Sequence, residues 1–194
     1  PVSTTASLYQ KGEEYPSIAH IQKYAHKAGI LKTDRELAGV LLKGIGNDFD
    51  STRFVKNMKE GKFPQRAGDK YSTELVISQK ISDKLRLNLG DKAMLYFVQD
   101  PPKQRPVKIV GIYETGIEDF DELFVMCDIR MVQKINNWPD SLVEGFEVFI
   151  HDFDKIDHAN EEIINESDYN LTPKKVTEKH QNLFDWFVMI RMNT

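Results

Sequence analysis

The sequence predicts an α+β domain built in two parts. Three observations predict it: apolar runs of strand length lie between turn residues, short helical stripes alternate with them, and a middle unit opens near Asp50 and closes at Trp138-Pro139-Asp140. Neither an internal repeat nor a low-complexity tract interrupts this pattern.

The elements follow in order. Ile18, Ile21, Ala25 and Ala28 recur at helical spacing behind Pro16-Ser17, with Gly29 at the stop position, which predicts a short amphipathic helix. Leu37–Ile45 is an apolar run ended by Gly46-Asn47-Asp48, a largely buried strand entering a turn. From Asp50 a helix with Phe54, Val55 and Met58 inward is expected, then the strand Glu74–Ser78 after the polar stretch 66–73. Ile81, Leu85 and Leu89 form an i, i+4, i+8 stripe, so a helix should end at Gly90-Asp91. Strands over 93–98 and 107–114 should flank a stiff, exposed loop, since Asp100-Pro101-Pro102 restricts the backbone there.

A further buried strand is expected over 123–127, with Asp128 capping a helix that carries Met131, Val132 and Ile135. Phe146, Val148 and Ile150 alternate with Glu147, Phe149 and His151 as a strand. Asp154 and Asp157 are then placed to cap a helix with Ile156, Ala159 and Ile163, and 171–176 would be a second strand. From Thr177 the apolar residues, Phe184, Trp186, Phe187 and Ile190 among them, leave little polar face on a helix, which fits one approaching a headgroup layer or one docked in a core.

Composition narrows the function classes. The 194 residues are 40 % hydrophobic, enough for one large or two small cores. Net charge is -4, and the 26 basic residues form no cluster that would track a phosphate backbone, so nucleic-acid binding is set aside. The single cysteine, Cys127, excludes an intramolecular disulfide, and its apolar setting reads as a buried, inert thiol. No apolar run reaches the ~20 residues needed to cross a bilayer, so the chain as given reads as soluble. A start at Pro1 without a signal-peptide pattern reads as a segment of something longer.

Several constellations resemble chemistry and read more simply as structure. Gly44-Ile45-Gly46-Asn47-Asp48 lacks the third glycine and Lys-Ser/Thr pair of a phosphate loop and reads as a turn. His151, Asp152 and His158 offer metal-ligand types, the basis for an alternative reading as a metal-dependent hydrolase. The capping roles of Asp154 and Asp157, with Lys155 between them, favour a strand-to-helix corner. Glu118, Asp119, Asp121 and Glu122 lack the glycine and alternation of a calcium loop and read as a solvated acidic turn. His20 and His26 are six residues apart on the expected helix and do not share a face closely enough to chelate. With no Gly-x-Ser-x-Gly, His-Glu-x-x-His or Cys-x-x-Cys motif, the sequence points away from an enzyme and names no cofactor and no metal.

Residues 74–80, then Leu85 to Lys92, then 107–116 resemble the periplasmic domain of LolC/LolE-type lipoprotein-releasing permeases, within the wider FtsX-like and MacB-like group. Residues 120–125, 143–149 and 181–187 continue the resemblance in order, so that it runs from about Leu37 to the C-terminus. It implies a MacB-like periplasmic fold, with a split Porter-like α/β subdomain at 1–46 and 143–178 and an inserted β-rich Sabre-like subdomain at 47–142. A membrane-proximal helix at 179–194 would lead to the second transmembrane helix.

The resemblance also implies a function: the extracytoplasmic domain of an ABC transporter permease at the periplasmic face of the bacterial inner membrane. It would transmit the motion of a separate cytoplasmic ATPase and serve in lipoprotein release toward the outer membrane. Its implied partners are the permease's transmembrane helices, a second permease subunit, that ATPase, and a lipoprotein or its periplasmic chaperone. A MacB-like efflux or export permease that touches a periplasmic adaptor is the alternative. The implied docking loop is Gln99, Asp100, Pro101, Pro102, Lys103, Gln104 and Arg105.

Overall fold

β-ladders organise most of the chain. The computed structural model describes residues 1–65, 68, 70–166 and 171–175. Its elements begin with β1 (Val2–Ser3), α1 (Ser7–Lys11), β2 (Ile18–Lys32), β3 (Leu37–Ile45) and β4 (Met58–Gly61). There follow β5 (Glu74–Ser78), α2 (Gln79–Leu85), β6 (Lys92–Phe97), β7 (Lys103–Tyr113) and α3 (Glu118–Leu123). The rest are β8 (Phe124–Asp128), α4 (Ile129–Ile135), β9 (Leu142–Val143), β10 (Gly145–Ile150) and α5 (Ile156–Glu166). Contacts divide the chain into one unit of Gln22–Glu147 and another of Val2–Ile21 with the segment from Val148.

In the first unit six strands close on themselves. β2 runs antiparallel to β3 from Tyr24↔Ile45 to Lys32↔Leu37, and β3 runs parallel to β8 from Leu41↔Phe124 to Ile45↔Asp128. β8 is antiparallel to β5, β5 parallel to β7, and β7 antiparallel to β6. β6 then returns to β2 through Ile30↔Tyr96, Leu31↔Leu95 and Lys32↔Met94, which completes the barrel. β4 extends the sheet beside β7.

The interior follows from alternation. Ala93, Leu95 and Phe97 of β6 are buried while Lys92, Met94 and Tyr96 between them are more exposed. Leu31, Leu42, Leu75, Ile77, Leu95 and Ile109 are all 0 % exposed, so side chains fill the barrel. β5 and β8 are buried at nearly every position, since α2 packs on β5 and α4 on β8 and β3. That double burial is why both strands read as continuous apolar runs. A second cluster of Val76, Val110, Tyr113 and Met126 is covered by Phe54, Met58, Phe63 and Phe120.

The second unit has its own core, Leu8, Ile18, Ile21 and Ile163, with Tyr9, Tyr15, Val148 and Leu171 packed against it.

The helix expected at 18–28 is instead the first two thirds of β2. Its i, i+3, i+7 spacing came from a strand whose buried side changes along its length: Ile18, Ile21, Ala25 and Leu31 are all buried. Gly29 is not a helix stop. A Cβ there would lie 3.1 Å from the Tyr96 carbonyl oxygen, so glycine lets β2 and β6 approach. The helix expected after Asp50 is two short 3-10 turns, Ser51–Arg53 and Val55–Asn57, the first capped where Asp50 accepts from the Thr52 N–H. The helix of Ile81 and Leu85 stops at Leu85 rather than at Gly90, because Arg86 takes a left-handed conformation (φ 55). The expected strand at 171–176 carries no regular structure over 171–175, and Val176 lies outside the described residues. The four apolar residues Phe184, Trp186, Phe187 and Ile190 also lie outside them.

Truncating a barrel-filling side chain should be costly. Leu95→Ala is expected to lose about 2–5 kcal/mol. Gly44→Ala is expected to lose about 1–3 kcal/mol, because a Cβ on Gly44 would stand 2.8 Å from the Ile129 Cα and push α4 off β3. Urea midpoints check both, and a Leu95→Ala protein within about 0.5 kcal/mol of wild type would contradict a filled barrel.

Candidate functional site

The expected docking loop sits at the tip of the β6–β7 hairpin, and the strands that hold it run further than the sequence indicates. Pairing continues from Lys92↔Lys108 to Phe97↔Lys103, so Lys103, Gln104 and Arg105 are strand residues and only 98–102 connect the strands. The Asp100–Pro101 peptide is cis, and Val98 at the start of the tip is 86 % exposed. Asp100, Pro101 and Pro102 are exposed with it.

The cationic side chains turn back onto the body. Lys103 Nζ donates to the Ile135 carbonyl oxygen at 2.9 Å and to Asn137 Oδ1 at 3.0 Å, and Gln99 Nε2 reaches the same carbonyl at 3.4 Å. That carbonyl ends α4, where the helix leaves its acceptors unsatisfied and its dipole favours a cation. Arg105 Nε donates to the Tyr71 hydroxyl at 2.8 Å. The tip is therefore bolted down at its base by Gln99, Lys103 and Arg105. A short apolar and acidic edge of Val98, Asp100, Pro101 and Pro102 is left exposed.

Three buried or half-buried carboxylates stiffen the platform beneath it. Asp128 caps α4 by accepting from the Arg130 N–H at 3.0 Å, as its position before Met131 and Val132 predicts. Its side chain also accepts from Arg130 Nη2 at 2.9 Å and from the Ser72 N–H at 2.9 Å, while Arg130 Nη1 donates to the Gly68 carbonyl oxygen at 3.0 Å. The Asp128–Arg130 pair is almost wholly buried.

Asp121 corrects the expected acidic turn. Residues 118–123 form α3, and Asp121 is buried, accepting from the Thr115 Oγ1 at 2.7 Å and the Thr115 and Gly116 N–H groups at 3.0–3.1 Å.

Glu147 is the third. It accepts from Lys43 Nζ at 2.6 Å and from Gln22 Nε2 at 2.8 Å, while Gln22 Oε1 accepts from the Asp50 N–H at 3.0 Å. Burial pushes the Glu147 carboxyl up, but the Lys43 charge and the hydrogen bonds from Lys43 and Gln22 outweigh it and hold the group below its ordinary value.

The remaining constellations are structural. Asp152, rather than Asp154, caps the turn Phe153–Lys155 by accepting from the Asp154 N–H, and Asp157 pairs with Lys175 at 2.6 Å. Asn47 and Asp48 of the Gly46 turn hold Lys23, the Asp48 carboxylate accepting from its N–H at 2.8 Å. His20 and His26 lie on a strand, with Glu13 and Glu144 as their respective partners at 3.3 Å and 3.1 Å. Cys127 is buried, and burial followed by the Asp128 charge pushes its thiol far above the ordinary range, which makes it inert as a nucleophile.

The α+β fold is that of the periplasmic region of MacB from Actinobacillus actinomycetemcomitans, matched with a TM-score of 0.57 at 16 % identity over 85 % of this chain and 74 % of that one. The chain also matches the extracellular domain of the noncanonic ABC-type transporter YknZ from Gram-positive bacteria, with a TM-score of 0.51 at 15 % identity over 76 % of this chain and 73 % of that one. No known protein family and no curated protein matches the sequence. Among the described residues no helix is long and apolar enough to cross a membrane.

Arg130→Leu strands Asp128 in the interior and is expected to cost about 3–5 kcal/mol, read by urea denaturation. Lys43→Met tests the third anchor. Stability from Glu147 is present above its unfolded pKa of about 4.3 and is lost as pH falls through the lower folded value. Without Lys43 the hydrogen bond from Gln22 has less help against burial, so the folded pKa rises toward or past the unfolded value and the variant should lose less stability on acidification than wild type. Urea midpoints from about pH 3 to 6 check this, and coincident acid limbs would contradict it.

Proposed function

We propose that this chain is the extracytoplasmic domain of an ABC transporter permease, working at the periplasmic face of the bacterial inner membrane as a lever driven by a separate cytoplasmic ATPase. The observation that carries this reading is the shared fold with two transporter domains over three quarters or more of the chain. The closed, filled barrel and its buried carboxylate anchors support a mechanical role, since a close-packed body passes displacement on where a loose one would absorb it. The transmembrane helices, the ATPase and a second permease subunit are the partners this role requires.

The Porter-like halves would be 1–46 and 143–178, the Sabre-like insertion 47–142, and 179–194 the approach to the second transmembrane helix. β3 and β8 pair across the first of these junctions, so the insertion would move with β2 and β3 and not hinge against them.

Lipoprotein release is the finer reading that the sequence resemblance supports, with Gln99 to Arg105 as the contact for a lipoprotein or its carrier. A specific observation favours the alternative, an export permease that touches a periplasmic adaptor. Recruitment by a protruding hook needs a long hairpin tip, whereas here 98–102 alone project and Lys103 and Arg105 are engaged at the base.

The parent gene is expected to encode one apolar stretch of about 20 residues before Pro1 and three after Thr194; flanks without them would remove the permease reading. A photocrosslinking side chain in place of Pro102 in the full-length protein separates the finer readings. Capture of a lipoprotein carrier supports release, and capture of an adaptor supports export.

A further inference from the structure

β3 and β8 part company at one end of their ladder. Ile45 and Asp128 are the last pair; beyond them one chain turns at Gly46 and the other enters α4. Residues of both branches line a polar cavity of about 70 Å³, among them Lys23, Gly46, Asn47, Asp128, Arg130 and Gln133. All of these belong to the 22–147 unit.

Gln133 is the most telling of them. It is 1 % exposed, and its Nε2 donates to the Asp140 carbonyl oxygen at 3.0 Å and to the Leu142 carbonyl oxygen at 2.8 Å. A primary amide has two hydrogens on its nitrogen, so both are committed, and the facing carbonyl oxygens fix which end of the amide is which. Oε1 is turned away from those carbonyls and has no hydrogen-bond partner among the described residues. A buried acceptor of this kind is costly unless a donor reaches it.

Arg130 brings spare donors to the same cavity. Its Nε and Nη2 serve Asp128, at 3.2 Å and 2.9 Å, and Nη1 donates to the Gly68 carbonyl oxygen at 3.0 Å. Each terminal nitrogen of a guanidinium carries two hydrogens, so Nη1 and Nη2 each keep an N–H with no partner among the described residues.

Charge and size then select the occupant. Arg130 pairs with Asp128 at 2.9 Å, Lys23 with Asp48 at 3.6 Å, and Lys134 with Asp140 at 3.8 Å, so the charges around the cavity are opposed in pairs. An anion would be repelled by Asp128 and the Gln133 oxygen, and a cation by Lys23 and Arg130. Among the described residues no group of three or more His, Cys, Asp or Glu could hold a metal ion. An apolar occupant would leave the Gln133 oxygen and the Arg130 N–H groups unmet. A small neutral molecule that both donates and accepts satisfies them, and the volume suits about two waters at about 30 Å³ each.

We propose that this cavity is an internal hydration site, where ordered water donates to Gln133 Oε1 and accepts from the spare N–H groups of Arg130. The water extends the Asp128–Arg130 tie along α4 and joins the helix to the turn after β3. The inference does not rest on the permease reading, whose own test is the flanking sequence.

Water-selective NOESY and ROESY spectra of the isotope-labelled chain test it. Ile45 and Ile129 also line the cavity and are 8 % and 3 % exposed, and their methyl hydrogens do not exchange with solvent. These methyls and the Gln133 side-chain amide should show cross-peaks to water with opposite signs in the two spectra, the signature of a long-lived bound molecule. Gln133→Met keeps the side-chain length and removes the acceptor, and the folded variant should lose those cross-peaks. Wild-type spectra without them overturn the proposal, and this result stands even if the variant fails to fold. So do cross-peaks that persist unchanged in folded Gln133→Met, or xenon entering the wild-type cavity, since xenon marks a dry, apolar one.

Discussion

β6 is the strand on which the 22–147 unit depends. It pairs with β7 through all six of its residues and with β2 through its central three, and in doing so converts an open sheet into a barrel. Without that second ladder the backbone groups of Ile30–Lys32 would be an unpaired edge, and Leu31, Leu95 and Phe97 would lose the enclosure that keeps them dry. Gly29 eases the closure, since a Cβ there would stand 3.1 Å from the Tyr96 carbonyl oxygen. The same closure carries the hairpin tip at 98–102 on one end of the barrel and aligns the outward rows of Ile30, Met94 and Tyr96.

Buried polar groups then hold the outer layers in register. Asp128 ties α4 to the loop at Ser72 by accepting from the Arg130 and Ser72 N–H groups, Asp121 gathers the N–H groups at Thr115 and Gly116, and Glu147 joins β10 to β2 and β3 through Gln22 and Lys43. Each carboxylate has several donors, which is the condition under which a buried charge is tolerable. Such anchors make sliding between layers costly, because any displacement strips a charged group of its partners. Stiffness of this kind is what a body that passes on movement needs. It also explains why Lys103 and Arg105 are not available at the hairpin tip: the body recruits them as structural donors.

Legibility in the sequence tracked how local the controlling physics is. Asp128 before Met131 and Val132 declared an N-cap, because capping is settled within three residues. The apolar runs of β5 and β8 declared strands, because burial on both faces leaves them few polar positions. The segment from Ile18 to Ala28 misled, since its apolar residues fall at helical spacing while the ladder partners of its second half lie elsewhere in the chain, at 41–45. The acidic residues 118–122 misled for a related reason: nothing within them shows that Asp121 turns inward while its neighbours face water. The β6–β7 hairpin is where the sequence places it but its connecting turn is shorter, because the register of β6 against β7 decides where a hairpin ends.

The sequence by itself determined the class of the fold, its short helices and buried strands, the inert setting of Cys127 and the place of the hairpin, all consequences of composition, periodicity and capping. Only the tertiary structure decided that β2 is a strand, that the sheet closes into a barrel, and that Lys103 and Arg105 face inward while Lys32, Lys92 and Lys108 face out. Pairing between segments distant in the chain sets each of these, and no single segment carries a record of its partner.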